Sequence, residues 1–172
     1  MPLADDLAPG ATKLGIRGTV ATDSGYAFFR RHPDRRVDEA DIAARVPVLA
    51  EFIEESCADY DLTERPVAIG FSNGAIMTAA LLRSHPGLLA GAILFRPLAP
   101  FAHDLPYRLD GTPVLIVDGT NDSRRSSGDG LRLSRRLRRA GAMVTHHVLP
   151  VGHAITGGDG EVAREWLRAH QL

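Results

Sequence analysis

Apolar and polar positions change rhythm along this chain, and the changes mark its elements. From Asp38 onward, Ile42, Val46, Leu49, Phe52 and Ile53 recur at three- and four-residue spacings, the pattern of a helix with one buried face. Asp38, Glu39 and Asp41 crowd its first turn, where the helix dipole favours negative charge. Pro47 falls inside the stripe and is expected to kink or split the helix, which should end near Tyr60. Other apolar segments are short and do not alternate cleanly: ATKLGI at 11–16, the run over 66–71, AILF at 92–95, PVLIV at 113–117 and MVTHHVL at 143–149. Such runs read as strands covered on both faces. Helices are expected at 73–84, 131–140 and 161–171, the last two with apolar stripes Leu131, Leu133, Leu137 and Val162, Trp166, Leu167. Residues 18–36, 96–111, 119–130 and 150–160 read as loops, and residues 1–11 as a polar, Pro/Gly-punctuated lead-in.

Strands that alternate with helices give an α/β fold: a mostly parallel sheet of about five strands, helices on both faces, right-handed crossovers. The 172 residues suit a single domain with a real core. Ligands of such sheets bind beyond the carboxyl ends of the strands. Those ends carry Ser72 and the loops at 96–111, 119–130 and 150–160.

The stretch Val-Ala-Ile-Gly-Phe-Ser-Asn-Gly-Ala-Ile-Met, residues 67–77, organises the rest. A short apolar run turns at Gly70, Ser72 and Gly74 and continues as a helix. Strand, sharp turn and helix are the context that gives a G-x-S-x-G pentapeptide chemical meaning, because they leave the hydroxyl exposed above the sheet. A serine hydroxyl needs an adjacent base, and the base an orienting carboxylate. His153 follows the last expected strand after Gly152, and Asp122 lies on the loop after PVLIV, so the chain order is Ser72, Asp122, His153. Rivals exist for both partners. Asp118, at a strand end, and Asp129 compete for the acid. His146 and His147 lie within a strand, His85 and His170 near helix ends, and His32 and His103 in loops that could line a pocket.

Composition narrows the classes. The chain is 44% hydrophobic and 24% charged with a formal net charge of −1, so no global field argues for nucleic acid or a membrane surface. The cluster Arg132, Arg135, Arg136, Arg138 and Arg139 reads as a solvated helix face. The lone Cys57 permits no intrachain disulfide and reads as a small buried hydrophobe. No apolar run is long enough to span a bilayer, and the start MPLADDLAPG lacks the pattern of a signal peptide. A cytoplasmic enzyme fits these features.

Gly70-Phe71-Ser72-Asn73-Gly74-Ala75, Phe95-Arg96-Pro97, Gly119-x-x-Asp122 and Gly152-His153 together resemble the phospholipase/carboxylesterase family of α/β-hydrolases, in particular small bacterial serine esterases with a GFSNGA elbow. The resemblance runs over nearly the whole chain. It implies an α/β-hydrolase fold and cleavage of small esters or thioesters through an acyl-enzyme. Ser72 would be the nucleophile, His153 the base, Asp122 its orienting acid and the Asn73 backbone N–H an oxyanion donor. The family's pocket walls would map to Phe28, Phe29, Arg30 and Arg31 and to Pro97, Leu98 and Phe101. No metal or organic cofactor is implied. Aromatic and proline-rich loops suggest an apolar acyl or aryl group. Arg30, Arg31, Arg124 and Arg125 either meet an anionic substrate or are solvated loop charges.

One departure stands out: family members carry an earlier strand ending in an HG-x-G-G-type loop that supplies a second oxyanion donor, and no His-Gly pair precedes Ser72 here. The sheet is therefore expected to be N-terminally shortened, with a protein longer at its N-terminus as the favoured explanation. The apolar surface so uncovered would favour a homodimer. The departure also keeps a second reading open, a weak or inactive relative that binds a small ligand or partner. Dienelactone-hydrolase and dehalogenase chemistry would want cysteine or aspartate where Ser72 stands.

Overall fold

A computed structural model of the chain describes every residue except Met1, Ser24 and Asp104, together with the side chain of Pro2. Its frame is a four-stranded parallel sheet in the order β3-β4-β5-β6, built from Val67–Phe71, Gly91–Phe95, Pro113–Gly119 and Met143–Leu149. The α/β architecture read from the pattern is present. The strands are near-continuous apolar runs because both faces are covered. Ala92, Leu94, Val114 and Ile116 face one core layer, and Ile93, Phe95, Leu115 and Val117 face the other.

The first layer contains α2 (Glu39–Asp59), α3 (Asn73–Ser84) and α4 (Asp129–Arg139), and the second contains α1 (Pro2–Leu7) and α5 (Gly157–His170). Asp38 caps α2 by accepting from Asp41 N at 3.0 Å. The helix runs through Pro47 as one element, against the expected split. Its buried stripe is Ile42, Val46, Ala50 and Ile53, whereas Phe52 is 44% exposed because it lies about 100° round the helix from Ile53. In α4, Leu133 and Leu137 enter the core and Leu131 stays outside.

Two expectations near the N-terminus are corrected. Residues 11–16 form no strand; Leu14 is 44% exposed, and the segment has no ladder partner among the described residues. Residues 18–36 are not loop throughout. Val20–Thr22 (β1) and Gly25–Ala27 (β2) pair as an antiparallel hairpin, with β-forming Val20 opposite Ala27 and Tyr26 opposite Ala21. The expected loops 18–36 and 96–111 each include one residue outside the described set, Ser24 and Asp104. On the far side of β3 no strand pairs among the described residues, and Ile69 and Phe71 are part-exposed there. No helix among the described residues is long and apolar enough to cross a membrane.

Candidate active site

Parallel register brings the sheet's carboxyl ends level. Phe71 pairs with Phe95, Ser72 N donates to Phe95 O at 2.9 Å, and Arg96 N donates to Val117 O at 2.9 Å. Ser72 then turns the chain from β3 into α3 with φ 52° and ψ −106°, a conformation few residues adopt. Gly70 is what lets the helix come so close: a Cβ there would stand 2.7 Å from Ala75 Cα and 2.8 Å from Gly74 O. Gly74 is under less constraint, its nearest neighbour being the Phe28 ring at 3.4 Å. A second close approach joins the other two loops. A Cβ on Gly119 would lie 2.4 Å from Val151 O, so the loops bearing Asp122 and His153 touch only because position 119 has no side chain.

Three residues named from the sequence converge here. Ser72 Oγ lies 2.9 Å from His153 Nε2, and His153 Nδ1 lies 2.8 Å from Asp122 Oδ2. A carboxylate can only accept, so Nδ1 carries the proton and Nε2 is left to accept from the serine hydroxyl. The side chain of Asp122 is 1% exposed and that of His153 13%. Burial pushes the Asp122 carboxyl up, but hydrogen bonds from His153 and from Arg124 N at 2.8 Å outweigh it and hold the group below the usual aspartate value. Phe71 packs on the imidazole at a ring-centroid distance of 5.1 Å. The rival acid Asp118 is engaged elsewhere, 2.7 Å from His146 Nε2.

The other expected residues divide. Asn73 begins α3, and its Oδ1 accepts from Phe28 N at 2.6 Å, which pins the aromatic loop beside the elbow. Phe28 is half-buried against that turn. Phe29 is 1% exposed and lies in the core with Ile42 and Val46, so its ring is packing and not pocket wall. Arg30 turns outward, its backbone N–H donating to Asp41 at 2.8 Å. Pro97 and Phe101 are buried, Phe101 with its ring in the core cluster and its edge on a cleft that half-buried Leu98 also lines.

Two arginines do more than the sequence disclosed. Arg125 Nη2 donates to Ser72 Oγ at 3.0 Å while its Nε donates to Arg96 O at 2.7 Å, so a cation rests directly on the serine oxygen. Arg96 is wholly buried and spends all five N–H donors. Two go to Asp159 at 2.7 and 2.9 Å, one to Val117 O at 3.1 Å, and one each to Gly152 O at 3.0 Å and Ala154 O at 3.1 Å. The last two carbonyls flank His153, so one guanidinium clamps both sides of the imidazole's loop. Asp159 also closes a capping box with Thr156, which starts α5 at Gly157, four residues before the expected Glu161. The pattern Thr156-x-x-Asp159 was the signal for that start. The partner of Arg96 stands 63 residues away, and nothing local announces it.

A prediction follows for this buried pair. Burial pushes Asp159 up, yet Arg96 and Thr156 hold it below the usual range. A depressed carboxyl stabilises the fold above its unfolded pKa, and that stability is lost as pH falls through its folded value. Arg96→Met should therefore cost about 3–5 kcal/mol of unfolding free energy at neutral pH, because it strands a buried charge. Adding Asp159→Leu should restore most of the stability but not the turnover, since the carbonyls beside His153 stay unclamped. Denaturant melts and kcat for both variants check this.

The arrangement defines the class: an α/β-hydrolase fold with a G-x-S-x-G serine at a strand–helix turn facing a histidine–carboxylate pair. The chain belongs to the phospholipase/carboxylesterase family, whose pattern it matches over residues 22–171. It is 35% identical over 162 residues to the putative hydrolase MhqD of Bacillus subtilis, covering 93% of this chain and 80% of that protein. A Bacillus cereus carboxylesterase superposes with a TM-score of 0.93 at 37% identity, over 99% of this chain and 81% of that one. A carboxylesterase from Mesorhizobium loti superposes at 0.92 and 32% identity, over 97% and 80%. The protein is an esterase-type hydrolase.

Proposed function

We propose that this chain cleaves small carboxylic esters or thioesters through an acyl-enzyme on Ser72. The observation that carries the reading is the unbroken hydrogen-bond line from Ser72 Oγ through His153 to Asp122, at 2.9 and 2.8 Å. Ser72 Oγ attacks the acyl carbon as His153 Nε2 takes the hydroxyl proton. Asp122 holds the imidazolium that forms. The Asn73 backbone N–H, at the first turn of α3, donates to the oxyanion. The tetrahedral adduct collapses, the carbon–oxygen or carbon–sulfur bond to the leaving half breaks, and His153 gives that half its proton. Water then repeats the sequence and releases the acid and free Ser72. Phe28, Leu98 and Phe101 provide apolar surface next to the serine loop.

A fluorophosphonate reagent tests this. One equivalent should add to the folded chain, peptide mapping should place the label on Ser72, and p-nitrophenyl butyrate hydrolysis should stop in step with labelling. A label on any other residue, or hydrolysis that survives full labelling, overturns the proposal.

A further inference from the structure

A cleft of about 720 Å³ opens between the segment after β2, the segment after β4 and the outer face of α4. The sequence explains its character. Arg132, Arg135, Arg136 and Arg139 follow an i, i+3, i+4, i+7 spacing, so α4 turns one guanidinium stripe to the cleft while Leu133 and Leu137 enter the core. Arg31, Arg35 and Arg36 face the stripe from the opposite wall. Among the described lining residues only Glu39 and Asp129 carry negative charge, which leaves an excess of five cations. Arg138, off the stripe, points away and donates to Val144 O at 2.7 Å.

Arg132, Arg135 and Arg139 are exposed, as a solvated helix face requires, and across the open cleft they meet a second set of arginines. Asp129 pairs with Arg132, and Arg136 donates to Phe101 O at 2.7 Å. The side chains of Arg35, Arg135 and Arg139 make no hydrogen bond or ion pair with the described residues. Burial, and then the Arg35 charge, pull Arg31 below the usual guanidinium value, so the crowding is felt inside the site. Two contacts link the cleft wall to the loop that bears Asp122 and Arg125. Burial and then the charge of Arg31 lower Arg125, the residue whose Nη2 rests 3.0 Å from Ser72 Oγ. Asp129, on the cleft wall, accepts from Ser126 N at 2.8 Å and so ties α4 to the loop that bears Asp122 and Arg125.

Guanidinium forks match phosphate oxygens in pairs, and a cavity of this size holds a ligand the size of a nucleotide. We infer that the cleft binds a small molecule carrying two or more phosphate groups, as the alcohol or thiol half of the ester or thioester cleaved at Ser72. Half-buried Leu98 offers apolar surface on the cleft wall. The leaving half departs into the cationic cleft with the proton from His153, and its charge is held there by α4. The assignment rests on Ser72 as nucleophile, but the cleft can be tested without it.

The experiment titrates adenosine diphosphate and inorganic pyrophosphate into three full-length proteins by calorimetry: wild type, Ser72→Ala and the double variant Arg135→Glu/Arg139→Glu. The first two should bind alike, with affinity that falls as salt rises, and the charge reversal should weaken binding at least tenfold. In parallel, the double variant should raise KM for butyryl-coenzyme A about tenfold and leave kcat and KM for p-nitrophenyl butyrate unchanged. Absence of saturable binding, binding indifferent to the charge reversal, or equal KM shifts for the two substrates would each overturn the inference. So would binding to phosphatidylserine vesicles without affinity for either soluble phosphate. Because binding is read on Ser72→Ala as well, failure of the nucleophile assignment and failure of the cleft give different results.

Discussion

Alanine at Ser72 should lower kcat for p-nitrophenyl butyrate by about six orders of magnitude while the fold stays intact. The hydroxyl is the only group at the elbow placed to form the acyl bond, and His153 then has no proton to take. Residual turnover of about 10³–10⁴ over water is expected from oxyanion and binding contacts alone. The Ser72 backbone already holds φ 52°, and alanine meets the same strain there as serine, so unfolding free energy should change by less than about 1 kcal/mol. Arg125 would lose its bond to Oγ but keep the one to Arg96 O, which holds the guanidinium in place. Stopped-flow hydrolysis together with a denaturant melt checks both halves. Turnover within tenfold of wild type would mean that the line to His153 serves another purpose.

Much of this site was legible because its geometry is local to each strand end. A G-x-S-x-G turn after an apolar run, an aspartate past one strand and a histidine past the next follow from parallel topology, once strands 67–71, 113–119 and 143–149 are recognised. What stayed hidden depends on contacts distant in sequence. Phe28 and Phe29 are adjacent and chemically alike, yet one packs at the elbow and the other under α2, and no periodicity separates them in an irregular segment. Arg96 looked like part of a motif without a role; its meaning comes from Asp159 and from two carbonyls beside His153. Residues 11–16 have strand-like composition, but a strand needs a neighbour, and the described fold gives them none. The start of α5 was obscured by Gly157 and Gly158, poor helix formers overridden by the Thr156–Asp159 box and by the buried guanidinium that fixes it.

Arginine around the serine is the feature that sets the electrostatics of this chain. With Arg125 on Oγ and Arg96 O holding Arg125, a positive charge stands at the serine hydroxyl. A nearby cation favours the oxyanion and a negatively charged leaving group. Asp122 is the buried carboxylate that offsets this, and its own depressed pKa records the same balance.

Asp122→Asn should therefore lose about 10⁴ in kcat, most of it through the wrong imidazole tautomer. An asparagine amide donates where the carboxylate accepted, so Nδ1 becomes the acceptor, the proton moves to Nε2, and the serine hydroxyl has no base. The field argument adds a further consequence. With Asp122 neutral and Arg125 still in place, the imidazolium formed during turnover loses its counter-charge, which lowers the plateau further. Stability should respond in the opposite sense to acid. In the wild type, the contribution of the depressed Asp122 carboxyl is fully present above its unfolded pKa and disappears as pH falls through the folded value. The variant has no such group, so the stability difference between the two proteins should shrink on acidification. Denaturant midpoints measured from neutral pH downward check it: a gap that stays constant or widens would remove Asp122 as a charged partner of His153, even with the hydrogen bond in place.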